Sequence, residues 1–392
     1  MHLLPVRRTK TILTTTLVLA AIFFGLTYTI NASQSYRNTH KVALDHEDGE
    51  DAIRVALLLD TSGSMSGLIE QAKSQLWSIL NELNEYEVNG ETPKILISLY
   101  EYGHDSYGSR NDYMQQILPF TTDMDLVSDK LFEFHTAGSK EYCGQVVFNS
   151  ITDLNWGSNK NDLRLIYLAG NETIHQGRTS IANACSEARE RDISVSTIFC
   201  GDKYSGIELG WKQGADLCDG EYMYIDHNHK TVYYDSPYDD DIQRLSNDLN
   251  KTFIPMGKKG KVAYENQARQ DDNARHYSRA NAVSRAKYKI SSNYKAESWD
   301  LVDAYEADKE VIKEKSKLPA EYNNLSEEEI EEKIEEKIEE RQAIKDQISE
   351  LNKKREAHVA KSKKSNEAQP SDLQQSIIKS VEKVAKQKDY RK

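Results

Sequence analysis

The hydrophobic pattern alternates between strand-like and helix-like segments from Asp51 to about Gly257. "IRVALLLD" and "DLRLIYLAG" are nearly continuous apolar runs, as expected for strands covered on both faces. Further strands are predicted by "KILISLYEY", "YMQQILPF", "ISVSTIFC" and "EYMYID", and helices by "LIEQAKSQLWSILNEL", "DLVSDKLFEF" and "TSIANACSEARERD". This alternation predicts an α/β domain with a mostly parallel central sheet and helices on both faces.

Residues 257–392 show a different pattern, in which charged residues dominate and helical spacing replaces the strand pattern. In "LSEEEIEEKIEEKIEERQAIKDQISELNKKR", Ser326 and Glu329 form a capping box, with Leu325 placed to pack on Ile330. One apolar stripe follows: Ile330, Ile334, Ile338, Ile344, Ile348 and Leu351. The stripe fits either a helix folded back on the domain or a coiled coil with another chain. The uneven step from Ile338 to Ile344 departs from a strict heptad.

The first thirty residues predict an export signal or a membrane anchor. An uncharged run from Thr11 to Ile30 follows Arg7, Arg8 and Lys10. About 20 apolar residues span a bilayer core of about 30 Å, and the basic flank stays in the cytoplasm. Ala32 offers a small residue for cleavage but Ile30 weakens the site, so cleavage stays open. An uncleaved segment would associate the chain with the membrane.

These patterns divide the chain into four parts. They are a signal or anchor (1–32), a polar linker (33–50), the α/β domain (51–256) and a charged helical extension (257–392). Export places the domain outside the cytoplasm, in the periplasm or cell envelope, where disulfides persist. Four cysteines, Cys143, Cys185, Cys200 and Cys218, allow three pairings, and buried free thiols are an equal alternative.

Charge and motifs exclude several classes of function. The formal net charge of −12 argues against nucleic-acid binding, and no phosphate-binding glycine loop is present. His104 beside Asp105 lacks the G-x-S-x-G elbow of a hydrolase. His227 and His229 lie between two strand-like runs, which favours a polar hairpin loop over a metal site.

The candidate chemistry lies where the first strand ends, in "LLLDTSGSM". Ligands bind at the carboxyl ends of strands in open parallel sheets, and Asp60 lies at such an end. Asp60, Ser62 and Ser64 offer three hard oxygen donors on one short loop. Such donors suit Mg²⁺, or alternatively Mn²⁺ or Ca²⁺. The alternative is that both serines cap the helix that follows.

The D-x-S-x-S loop between a strand and a helix resembles the metal-ion-dependent adhesion site of von Willebrand factor type A domains. The resemblance implies a Rossmann-like six-stranded fold that binds a protein partner, whose carboxylate completes the coordination of a cation. In the second loop, aligning Gly144 with the family's small residue places Glu141 where the family has a threonine, with Thr136 and Ser139 as other donors.

The third loop also departs from the family pattern. It has Gly170 and Asn171 where the family has an aspartate and a glycine, and Glu172 comes next. Asp60, Ser62, Ser64 and Glu141 are therefore the predicted cation ligands, with Asn171 or Glu172 in supporting positions. Two carboxylates against one divalent cation would weaken its pull on a partner carboxylate.

Three functions are compatible with the sequence. The first is an exported, non-enzymatic module that binds a protein partner through a cation. The second is a metal-free scaffold outside the cytoplasm that binds partners through its C-terminal helices. The third, a metal-dependent hydrolase, lacks a convincing base in the sequence.

Overall fold

The computed structural model describes residues 50–226, 233–363 and 373–392. The predicted export segment and both His227 and His229 lie outside the described residues. The described residues belong to one compact unit. Among the helices described, none has the length and apolar character needed to cross a membrane.

A six-stranded sheet forms the centre of the unit, in the order β3-β2-β1-β4-β5-β6. Its strands are β1 (Ala52–Asp60), β2 (Lys94–Tyr102), β3 (Met114–Thr121), β4 (Leu163–Gly170), β5 (Ser194–Cys200) and β6 (Asp219–Ile225). All neighbours pair in parallel except β3, which runs antiparallel to β2. The predicted α/β fold class is confirmed.

Twelve α-helices are described, seven in the sheet domain and five in the extension. The first seven are α1 (Ser66–Leu83), α2 (Met124–Glu133), α3 (Cys143–Asp153), α4 (Ile181–Glu190), α5 (Lys203–Glu208), α6 (Trp211–Leu217) and α7 (Asp239–Asn250). The others are α8 (Gly257–Tyr277), α9 (Arg279–Lys289), α10 (Leu301–Ala307), α11 (Glu327–Lys363) and α12 (Leu373–Ala385).

Both faces of the sheet are buried, because alternate side chains of each strand point to opposite faces. In β1, Val55 and Leu59 face the side covered by α1, α2 and α12. Ala56 and Leu58 face the other side, covered by α3, α4 and α6. This double burial explains why the strands read as continuous apolar runs.

The long helix α11 folds back on the chain, as in the first of the two interpretations. Ile330 and Ile334 pack in a cluster with α10, and Ile344 and Ile348 in a cluster with α7 and α9. Its start is the predicted capping box: the Glu329 amide donates to Ser326 Oγ (3.2 Å), and the Ser326 amide donates to Glu329 Oε2 (2.8 Å).

Arg341 accounts for the uneven spacing of the apolar stripe. Its side chain is 3% exposed and points into the same interface, midway between Ile338 and Ile344. The guanidinium donates to Asp300 Oδ2 (2.9 Å), to Asp303 and to the Thr252 carbonyl (2.8 Å), and it lies over the Phe253 ring. An ion pair thus replaces one apolar contact of the stripe.

The last helix, α12, covers the sheet face between α1 and β6. Leu373, Ile377 and Val381 pack into the same core as β1 and α1. At the start of α12, the amides of Leu373 and Gln374 donate to the side-chain oxygens of Gln71 and Gln75 on α1 (3.2 and 2.7 Å). The extension therefore completes the core of the sheet domain, and the boundary near Gly257 stays a prediction from sequence.

One disulfide resolves the cysteine pairing that the sequence left open. Cys185 on α4 is bonded to Cys218, which lies between α6 and β6, at a sequence separation of 33 residues. Cys143 and Cys200 are free and buried.

Replacing Arg341 with alanine should lower the free energy of unfolding by about 3–5 kcal/mol, because the buried Asp300 and the partly buried Asp303 lose their cationic partner. Urea unfolding followed by circular dichroism measures the change. The control is Lys337→Ala, one turn earlier on α11, whose exposed pair with Glu340 contributes about 0–1 kcal/mol. Equal losses in both variants would contradict the assigned role of Arg341.

Replacing Cys185 and Cys218 together with alanine should cost about 3–4 kcal/mol, because the unfolded chain regains the freedom of a loop of this length. Urea unfolding of the double variant is compared with that of the wild-type chain with and without reductant. A wild-type chain that unfolds at the same urea concentration in both conditions would argue against the disulfide.

Candidate functional site

The carboxyl end of β1 carries the first candidate ligand, Asp60. Its side chain is completely buried, and Oδ1 accepts a hydrogen bond from the Ser62 amide (2.7 Å). Oδ2 has no hydrogen-bond partner among the described residues. A buried acceptor of this kind is costly unless a further group binds it.

Ser62 and Ser64 do not cap the helix that follows them. Helix α1 has Met65 at its N-cap position and no side-chain cap hydrogen bond. The Ser62 hydroxyl instead lies 3.5 Å from the Ser64 hydroxyl, and, against the effect of burial, Ser62 acts to lower the pKa of both Asp60 and Glu141. The capping alternative is therefore wrong, and both hydroxyl groups are oriented toward the loop's own cluster.

Glu141 lies close to Asp60. It is 2% exposed, and, beyond the effect of burial, its carboxylate is near enough to raise the pKa of Asp60. Glu141 Oε2, like Asp60 Oδ2, has no hydrogen-bond partner in the described structure. Neither Thr136 nor Ser139 has a recorded hydrogen bond to this cluster in the described structure. We call Asp60, Ser62, Ser64 and Glu141 the carboxylate cluster.

The loop order of the sheet explains why these residues meet. Asp60 ends β1, while Glu141 comes two residues before α3, whose N-terminal end lies at the same edge of the sheet. The Gly63 amide donates to the Gly138 carbonyl (3.2 Å), and the Ala137 amide donates to the Thr61 carbonyl (2.8 Å). These bonds hold the first and second loops together.

Gly103 allows the close approach of the loops. It follows β2 directly with φ of +84°, and a Cβ atom there would lie 2.5 Å from Asp60 Oδ1 and 3.3 Å from Glu141 Cγ. Any side chain would therefore displace the first carboxylate. Sequence reasoning missed Gly103, although a glycine directly after a strand next to the ligand-bearing strand was a usable signal.

The third loop contributes contacts but no carboxylate at its first position. Asn171 Nδ2 donates to Ser64 Oγ (3.0 Å), and, beyond the effect of burial, the nearby charge of Glu172 raises the pKa of Glu141. A Cβ atom on Gly170 would lie 2.5 Å from the Tyr102 hydroxyl and 3.2 Å from Asp60 Oδ2. The Tyr102 hydroxyl, which donates to the Ala169 carbonyl (2.9 Å), therefore fills the space that an aspartate at Gly170 would need.

Burial dominates the electrostatics of the cluster. It raises the pKa of Asp60 well above its usual range, and the neighbouring Glu141 carboxylate raises that pKa further. Burial also raises the pKa of Glu141, while the hydrogen bond from Ser62 opposes that rise. Beneath the cluster, the Cys143 thiol donates to the Tyr102 hydroxyl (3.8 Å), and burial raises the pKa of Cys143.

Two other features, His104 and a cleft beside Arg164, are less suited to binding a cation or to catalysis. His104 accepts a hydrogen bond from the Ser106 amide (3.2 Å) and so caps a short 3₁₀ turn. A cleft of about 510 Å³ lies at the opposite end of the sheet, where Arg164 donates to main-chain carbonyls of Trp156 and Asn159.

Within the described ranges, no three His, Cys, Asp or Glu side chains form a group that could hold a metal ion. A cation bound at the carboxylate cluster would therefore rely on two carboxylates and two hydroxyl groups.

Comparisons with known proteins give structural neighbours only. No protein-family model matches the sequence, and no curated protein matches it. An aerotolerance-related membrane protein from Bacteroides fragilis is 15% identical, with a TM-score of 0.31 over 45% of this chain and 92% of its own. The SpRpn10 VWA domain is 12% identical, with a TM-score of 0.34 over 44% of this chain and 88% of its own.

Proximal thread matrix protein 1 from the mussel byssus, solved with a zinc-occupied MIDAS motif, is 11% identical. Its TM-score is 0.34 over 45% of this chain and 42% of its own. Superpositions at these TM-scores carry no argument of their own. The assignment rests on the strand order β3-β2-β1-β4-β5-β6, the antiparallel β3 and the D-x-S-x-S loop after β1. The sheet domain of this chain has the von Willebrand factor type A fold.

Proposed function

We propose that the carboxylate cluster binds a divalent cation, with Asp60, Ser62, Ser64 and Glu141 as its protein ligands. The observation that carries the proposal is the pair of buried carboxylate oxygens, Asp60 Oδ2 and Glu141 Oε2, that lack hydrogen-bond partners in the described structure. Carboxylate and hydroxyl oxygens are the ligands that Mg²⁺, Mn²⁺ and Ca²⁺ take in proteins. The residues present therefore fit such a cation.

We further propose that the chain is an exported module that binds a protein partner at this cation. The cation would supply a coordination position for an oxygen of the partner, and the buried cluster would hold that position in place. Export is supported by the uncharged run from Thr11 to Ile30 in the sequence and by the disulfide between Cys185 and Cys218.

Binding is favoured over catalysis by the arrangement of the acids. A metal-dependent hydrolase needs a base beside the cation in addition to the cation's own ligands. Both buried carboxylates of the cluster would be ligands, and so neither is free to accept a proton. A metal-free scaffold that binds through its helices remains the second candidate, and it is favoured by the long charged outer face of α11.

Asp60→Ala should abolish binding of Mg²⁺, Mn²⁺ and Ca²⁺ to the purified chain, and Glu141→Ala should weaken it by about tenfold or more, because a charged ligand is lost. Calorimetric titration measures both effects. The control is Glu208→Gln, an exposed acid on α5 at the same end of the sheet. A wild-type chain that binds none of the cations would refute the proposal and leave the scaffold function.

Gly103→Ala should weaken cation binding and lower the melting temperature, because its Cβ atom would displace the Asp60 carboxylate. The control is Gly90→Ala, which has a similar φ of +85° but no atom within 4 Å of the added Cβ. Both variants carry the same left-handed strain, of about 1 kcal/mol. Cation affinities that change equally in the two variants would show that Gly103 has no special role.

A further inference from the structure

The buried acids of the carboxylate cluster have no cationic side chain to balance them. Among the described residues, neither Asp60 nor Glu141 forms an ion pair with a Lys, Arg or His, and Asp60 Oδ2 and Glu141 Oε2 have no hydrogen-bond partner. Glu172, which is exposed, adds a third negative charge within electrostatic reach of Glu141. A bound cation would therefore be balanced by these acids and not by a basic side chain of the site.

Glu141 is fixed in this position from several sides. Its amide lies 3.3 Å from the Gln176 side-chain oxygen, to which it donates, and its carbonyl accepts a hydrogen bond from the Cys143 amide (3.0 Å). Its side chain is 2% exposed and packs beside Gly103. The surrounding loops therefore hold Glu141 in place within the site.

The charge balance at the site limits which partner group can take the remaining coordination position of a bound cation. The carboxylates of Asp60 and Glu141 would together cancel both charges of a divalent cation. A partner carboxylate would meet a neutral centre with Glu172 nearby, so its Coulombic gain would be small and its desolvation cost would remain. A neutral oxygen, such as a carboxamide or main-chain carbonyl, carries no comparable desolvation cost.

From this balance, and resting on the proposed function, we infer that Glu141 sets the partner specificity of the site. It selects a neutral oxygen donor from the partner protein and rejects a carboxylate.

The test uses the full-length chain loaded with Mn²⁺, whose unpaired electrons speed the relaxation of nearby protons. Mn²⁺ binding is first measured by electron paramagnetic resonance. The NMR relaxation rates of the methyl protons of acetate and acetamide are then compared at equal concentration. With the wild-type chain, acetamide should relax faster than acetate. Glu141→Gln removes one charge but keeps an oxygen. In this variant the ratio of the acetate relaxation rate to the acetamide relaxation rate should rise on the order of tenfold.

The matched control is Glu172→Gln, which removes one charge outside the buried pair and should change the acetate-to-acetamide ratio much less. Glu141→Thr serves as a second variant if Glu141→Gln does not fold by circular dichroism. If neither variant binds Mn²⁺, the ratio of acetate to acetamide relaxation on the wild-type chain alone shows whether the site prefers a carboxylate or a neutral oxygen.

Two outcomes separate this inference from the proposed function. Acetate that relaxes as fast as acetamide on the wild-type chain, with Mn²⁺ bound, overturns the inference and leaves the cation site intact. A wild-type chain that binds no Mn²⁺ overturns both. Faster relaxation of acetamide on the wild-type chain, with the order reversed in Glu141→Gln, supports the inference.

Discussion

The structure of the site depends on the burial of two carboxylates that the protein does not neutralise. Asp60 ends a strand that is covered on both faces, and Glu141 reaches it from the next loop. A buried charge without a partner is costly, and so every neighbouring position must be small, polar or precisely placed. Gly103 and Gly170 leave room, the serine hydroxyls and loop amides orient the acids, and Tyr102 fills the remaining space.

The helical extension obeys a different constraint, which is to cover apolar surface with a highly charged sequence. Helix α11 does so with one narrow stripe interrupted by Arg341, and α12 does so with residues spaced four apart. The guanidinium of Arg341 pairs with the buried Asp300, which caps α10, and with the partly buried Asp303 in its first turn. The extension is consequently joined to the sheet domain by both apolar contacts and ion pairs, and the two share one core.

Much of the fold followed from local patterns, and much of the site did not. The strands β1, β2 and β4 and the capping box at Ser326 were predicted because each depends on a short run of residues. The presence of Glu141 beside Asp60 came from a family alignment, since 81 positions separate them in the chain. The roles of Gly103, Tyr102 and Arg341 depend on contacts between distant segments, which no periodicity encodes.

The two ends of the described chain meet at the base of the sheet. The Tyr390 hydroxyl donates to the Ala52 carbonyl at the start of β1, and Arg391 exchanges main-chain hydrogen bonds with Glu87. Helix α12 covers β1, β4 and β5 from one side. A ribosome must therefore release residues 373–391 before the first strand has its full cover. During synthesis the nascent chain therefore carries an open apolar face until residues 373–391 have left the ribosome.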